Sequence, residues 1–85
     1  MARFYFYKVD FFARNQSGEL VYDGGWSELW PVDDDNKTVV QVFDEVTEKC
    51  QAERERIVRA IADERRLEPD YNVSSFIIQE FHRVD

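Results

Sequence analysis

Residues 3–13, Arg-Phe-Tyr-Phe-Tyr-Lys-Val-Asp-Phe-Phe-Ala, constrain this chain more than any other stretch. Aromatic and β-branched residues dominate the run and nothing breaks it, so it predicts a strand. Side chains alternate between the two faces of a strand, which splits the run into two sets. The odd set is Tyr5, Tyr7, Val9, Phe11 and Ala13, apolar throughout. The even set is Phe4, Phe6, Lys8, Asp10 and Phe12, apolar at both ends and charged in the middle. A strand that is apolar on both sides belongs in the centre of a sheet, with the cleaner odd face toward a packed layer.

The rest of the chain supplies that layer. Asn15-Gln16-Ser17-Gly18 reads as a turn, and residues 19–30 as a second strand that closes a hairpin. Gly24-Gly25 interrupts that strand and predicts a bulge, with a break into two short strands as the alternative. Pro31 ends the hairpin, and Asp33-Asp34-Asp35-Asn36 forms a loop. Val39, Val42/Phe43, Val46, Cys50, Ile57 and Ile61 then recur at helical spacing with one gap at Glu53, forming a single apolar stripe. Thr38 with Gln41 matches a capping box, with Asp35 as an alternative cap, and Pro69 places the helix end near Leu67. Residues 73–84 read as the last strand. The order is β-β-α-β, an α+β fold. The long crossover brings the third strand beside the first, giving an antiparallel three-stranded sheet of order 2-1-3 packed on one long helix.

At 85 residues the chain is expected to form one domain, 1–85, with one core. The net charge of −7 argues against direct nucleic-acid binding, which needs a basic footprint. The aromatic strand lacks the glycines of RNA-binding sheets, which stack bases on exposed rings. No apolar run approaches the roughly 20 residues of a membrane helix, and the start shows no leader pattern. A cytoplasmic location is therefore expected, and the lone Cys50 fits a reducing compartment. The sequons at Asn15, Asn36 and Asn72 read as chance occurrences.

Chemistry-bearing patterns are sparse. Cys50 lies on the apolar stripe, and the single histidine, His82, lies on the last strand with no third group to orient it. A calcium loop starting at Asp34 would have Val39 where glycine is required. The Arg-rich helix half ending in Arg65 and Arg66 mixes both signs and reads as a solvated face. No catalytic residues, metal ligands or cofactor site are expected, and the chain is read as non-enzymatic.

Two surfaces remain. Residues 33–48 hold six acids and one base, next to the hairpin arm that carries Trp26 and Trp30. Concentrated charge beside aromatic anchors suits recognition of a basic protein surface. The expected partner-binding set is Trp26, Trp30, Asp33, Asp34, Asp35, Asp44 and Glu45. One helix covers one sheet face only, so Phe4, Phe6 and Phe12 are expected on an open face that a second copy could cover. In size and charge the chain resembles small phage- and prophage-encoded proteins, including inhibitors of host defence such as anti-CRISPR proteins. That resemblance implies an inhibitor that occupies a basic, nucleic-acid-binding surface of a larger protein. The alternative expectation is a homodimeric structural or accessory protein paired through the aromatic face.

Overall fold

A computed structural model describes residues 3–84. Met1, Ala2 and Asp85, which the single-domain and leader readings include, lie outside the described residues. The elements are β1 (Arg3–Arg14), β2 (Leu20–Val32), α1 (Val39–Arg65), a 3-10 turn (Tyr71–Val73) and β3 (Ser74–Val84). β1 is central, and the sheet order is β2-β1-β3 with both pairings antiparallel. This is the predicted α+β fold.

The hairpin turn is closed by Asn15. Its N–H donates to the Glu19 carbonyl at 2.9 Å, and its Oδ1 accepts the Glu19 N–H at 3.0 Å. The predicted bulge is present, and the strand runs on through it. Asp10 pairs with Gly25 and Phe12 with Tyr22, so two β2 residues stand opposite Phe11. Gly24 there has φ +100, which L side chains avoid, and a Cβ on Gly25 would lie 2.3 Å from the Val9 carbonyl oxygen.

A second irregularity, in β3, is absent from the sequence reading. Val9 pairs with Ile78 and Lys8 with Glu80, which leaves Gln79 as an extra residue. Strict alternation after Phe76 and Ile78 would turn Glu80 toward α1 and Phe81 toward solvent. The extra residue restores Phe81 to the helix side, where it stacks on Tyr5 at 5.4 Å between ring centroids. Gln79 itself donates to the Asp10 carboxylate at 3.2 Å.

Thr38 caps α1 in a complete capping box: its Oγ1 accepts the Gln41 N–H at 3.2 Å, and its N–H donates to Gln41 Oε1 at 2.8 Å. Val42, Val46, Cys50, Ile57, Val58 and Ala62 are the buried residues of the helix. Val39, read as the first residue of the stripe, is exposed in the first turn. At the gap in the stripe, Arg54 spans from α1 to the start of β3 and the 3-10 turn before it, donating to the Ser74 carbonyl at 2.9 Å and the Tyr71 carbonyl at 2.7 Å. The helix ends two residues before Leu67, at Arg65. Arg66 takes the left-handed conformation with φ 57, and the Leu67 N–H donates back to Ala62 at 2.9 Å.

Tyr5, Tyr7, Val9 and Phe11 of β1 are buried beneath α1, which bears out the assignment of the odd set to the helix side. A 27-residue helix and 12- to 13-residue strands both span roughly 40 Å. The helix therefore lies along the full sheet, and the molecule measures 48 × 19 × 15 Å.

Candidate functional site

The acidic loop leaves β2 at Val32 and enters α1, at one end of the long axis. Asp33, Asp34 and Asp35 are exposed, as is Asp44 in the second turn of the helix. The loop has a defined shape. The Asp34 carboxylate accepts the Asn36 N–H at 2.9 Å, and the Lys37 N–H returns to the Asp34 carbonyl at 3.1 Å. Arg3 anchors the loop from β1, donating to the carbonyls of Asp34 at 2.9 Å and Lys37 at 2.7 Å. Glu45 is engaged in an ion pair with Lys37, the one base within residues 33–48.

Trp26 and Trp30 point the other way. Trp26 stands opposite Val9 and Trp30 opposite Tyr5, so both lie on the helix face of β2. They are half-buried against the core rather than free beside the loop. Between them stands Glu28, opposite Tyr7. The Trp26 indole N–H donates to the Tyr7 hydroxyl at 2.7 Å, Tyr7 donates to Glu28, and Lys49 from α1 donates to the same carboxylate at 2.6 Å. The Lys49 ammonium lies 5.8 Å from the Trp26 ring and 5.6 Å from the Trp30 ring, so the indoles hold a cation of their own chain.

This network shifts its groups. Burial, with the Glu28 hydrogen bond next, pushes the Tyr7 hydroxyl well above its usual range. For Glu28 burial acts upward, but the hydrogen bonds from Lys49 and Tyr7 and the Lys49 charge outweigh it, and the carboxyl is lowered. Tyr7, Glu28 and Lys49 were not singled out in the sequence. The available signal was a glutamate placed between two tryptophans on a face that is otherwise apolar.

The sheet face away from α1 carries Phe4, Phe6 and Phe12. Their cross-strand partners extend it: Pro31 and Val84 beside Phe4, Leu29 and His82 beside Phe6, Tyr22 and Ser75 beside Phe12. Leu29 is 54% exposed, Tyr22 63% and Ile77 51%. Lys8 and Asp10 separate two apolar ends.

Cys50 is buried beneath the sheet, and burial pushes its thiol up to about 11. That disfavours the thiolate a nucleophile needs. His82 pairs with Phe6 on the opposite face, with ring centroids 5.5 Å apart, so the sheet separates the two residues. Arg65 donates to the Arg14 carbonyl at 3.0 Å and ties the helix to the hairpin. A pocket of 230 Å³ lies between the last turns of α1 and the segment that follows, lined by Val58, Ile61, Ala62 and Leu67 among others. It falls below the ≈ 300 Å³ at which small-molecule sites begin. Among the described residues, no group of three or more His, Cys, Asp or Glu side chains is placed to hold a metal ion, and no helix is long and apolar enough to cross a membrane. Neither a protein-family model nor a curated protein nor a solved structure gives a significant match to the chain.

Proposed function

We propose that the chain is a small, non-enzymatic protein-binding module. Its acidic end occupies a basic, nucleic-acid-binding surface of a larger protein, as a phage- or prophage-type inhibitor would, and it works in the cytoplasm. One observation carries this reading: Asp33, Asp34, Asp35 and Asp44 are exposed together at one end of the long axis, while the one base among residues 33–48 is taken up by Glu45. A fixed cluster of carboxylates on an anchored loop presents charge much as a phosphate backbone does. It steers encounter with a positive surface and sets the orientation of docking. Trp26 and Trp30 support the module from within, by holding Lys49 and Glu28 in place.

The test is competition. A partner captured on the immobilised chain is challenged with duplex DNA and with RNA. Release by nucleic acid at moderate salt, and loss of capture by the Asp33→Asn, Asp34→Asn, Asp35→Asn triple variant, support the reading. Capture that survives both overturns it. The exposed apolar sheet face favours a second reading compatible with the first, a homodimeric structural or accessory protein paired through that face.

A further inference from the structure

We infer that the open sheet face is covered by a second copy of this chain, stacked antiparallel so that Lys8 of each copy faces Asp10 of the other. This deepens the homodimer reading and is independent of the acidic-end reading.

The first support is the pattern along the central strand. The open-face residues of β1 run Phe4, Phe6, Lys8, Asp10, Phe12, Arg14. A two-fold axis across the strands beside Val9 reverses this order. It sets Lys8 over Asp10, Asp10 over Lys8, Phe6 over Phe12, and Phe4 over the aliphatic stem of Arg14 of the second copy. An isologous interface requires such reciprocity, with residue i on j and j on i. The flanking strands follow: the row of Leu29 and His82 meets the row of Tyr22 and Ser75, and Glu80, which stays beside Lys8 of its own sheet, meets Ile77 beside Asp10.

The second support is long-range charge. The exposed loop Asp33–Asp35 lies at one end of the sheet. A parallel stack would bring two such loops together and set Lys8 on Lys8. The antiparallel stack keeps the loops at opposite ends and pairs unlike charges in the middle.

The third support is area. A face roughly 40 Å long and three strands of about 4.8 Å wide has a projected area of roughly 600 Å² per copy, about 1,200 Å² for the pair, at the lower end of stable interfaces. Two such faces, stacked ≈ 10 Å apart, bury the exposed Leu29, Tyr22 and Ile77.

The experiment is light scattering after size exclusion on the full chain, across micromolar concentrations. The wild type is expected at twice the 10.2 kDa chain mass. Lys8→Asp and Asp10→Lys each place like charges face to face, and each is expected to raise the dimer dissociation constant at least about ten-fold. The double variant Lys8→Asp with Asp10→Lys restores unlike pairs and is expected within about three-fold of wild type. Phe6→Asp is expected to give a monomer, with circular dichroism confirming that each variant folds. The Asp33→Asn, Asp34→Asn, Asp35→Asn variant keeps the dimer, so failure of the acidic-end reading leaves this result intact. A wild-type monomer at high micromolar concentration overturns the proposal. So does a dimer whose constant ignores the single charge reversals, or a double variant no tighter than the singles.

Discussion

Tyr5 and Tyr7 stand two residues apart on one face of β1, and their hydroxyls fare differently. The Tyr7 hydroxyl accepts from Trp26 and donates to Glu28. The Tyr5 hydroxyl is buried with no hydrogen-bond partner among the described residues. Removing the first strands the Trp26 N–H and takes one of two donors from Glu28, whereas removing the second relieves an unsatisfied group. Urea unfolding should find Tyr7→Phe destabilising by about 1–2 kcal/mol and Tyr5→Phe neutral or stabilising by up to about 1 kcal/mol. The same neighbourhood sets a pH response. An unfolded chain loses the Cys50 proton as pH passes 9.0, while the folded chain keeps it until about 11. The stability this gives is complete below pH 9.0 and is lost across that window. The raised Tyr7 hydroxyl acts in the same direction above 10.0, its usual value. The urea midpoint should therefore fall from pH 9 upward, and Cys50→Ala should delay the fall until about pH 10. Glu28 acts on the acid side: its lowered carboxyl stabilises the fold above its usual 4.5, and that contribution disappears as pH drops through the lowered value.

At the scale of elements, backbone exceptions hold the register. Gly25→Ala drives a Cβ against the Val9 backbone, and Gly24→Ala only strains a positive φ. Gly25→Ala should therefore cost roughly 2–4 kcal/mol and Gly24→Ala roughly 1–2 kcal/mol in thermal or urea unfolding. Arg66 shows the converse, a bulky residue where glycine fits the left-handed end of α1. Arg66→Gly should stabilise by about 0.5–1 kcal/mol. Most of these elements were legible because their signals are local: the alternation in β1, the capping pair Thr38 and Gln41, and the glycine pair. The β3 bulge was not, although Ile78-Gln79-Glu80-Phe81 carries its mark, an apolar spacing of three where strands use two. Nor was the use of Arg54, because what fills the gap in the helix stripe depends on carbonyls that only the folded chain brings within reach.

Taken whole, the molecule is a rod with a sealed side, an open side and one acidic end. Sheet order and the helix-facing set follow from one fact already present in the sequence, a strand apolar on both faces beside a single amphipathic helix. The direction of Trp26 and Trp30 did not follow, because it depends on register past a bulge. The structure turns both indoles onto the helix side around Lys49. On the proposed reading, recognition rests on the carboxylates of the acidic end, and the open face is left for self-association. Losing three of those carboxylates should flatten the salt dependence of binding as well as weaken it. The most direct measurement is the affinity for the captured partner at several salt concentrations, for the wild type and for the Asp33→Asn, Asp34→Asn, Asp35→Asn variant. The wild-type affinity should fall steeply with salt, and the variant should bind at least about ten-fold more weakly with a shallower slope. Equal affinities and equal slopes would rule out recognition through the acidic end.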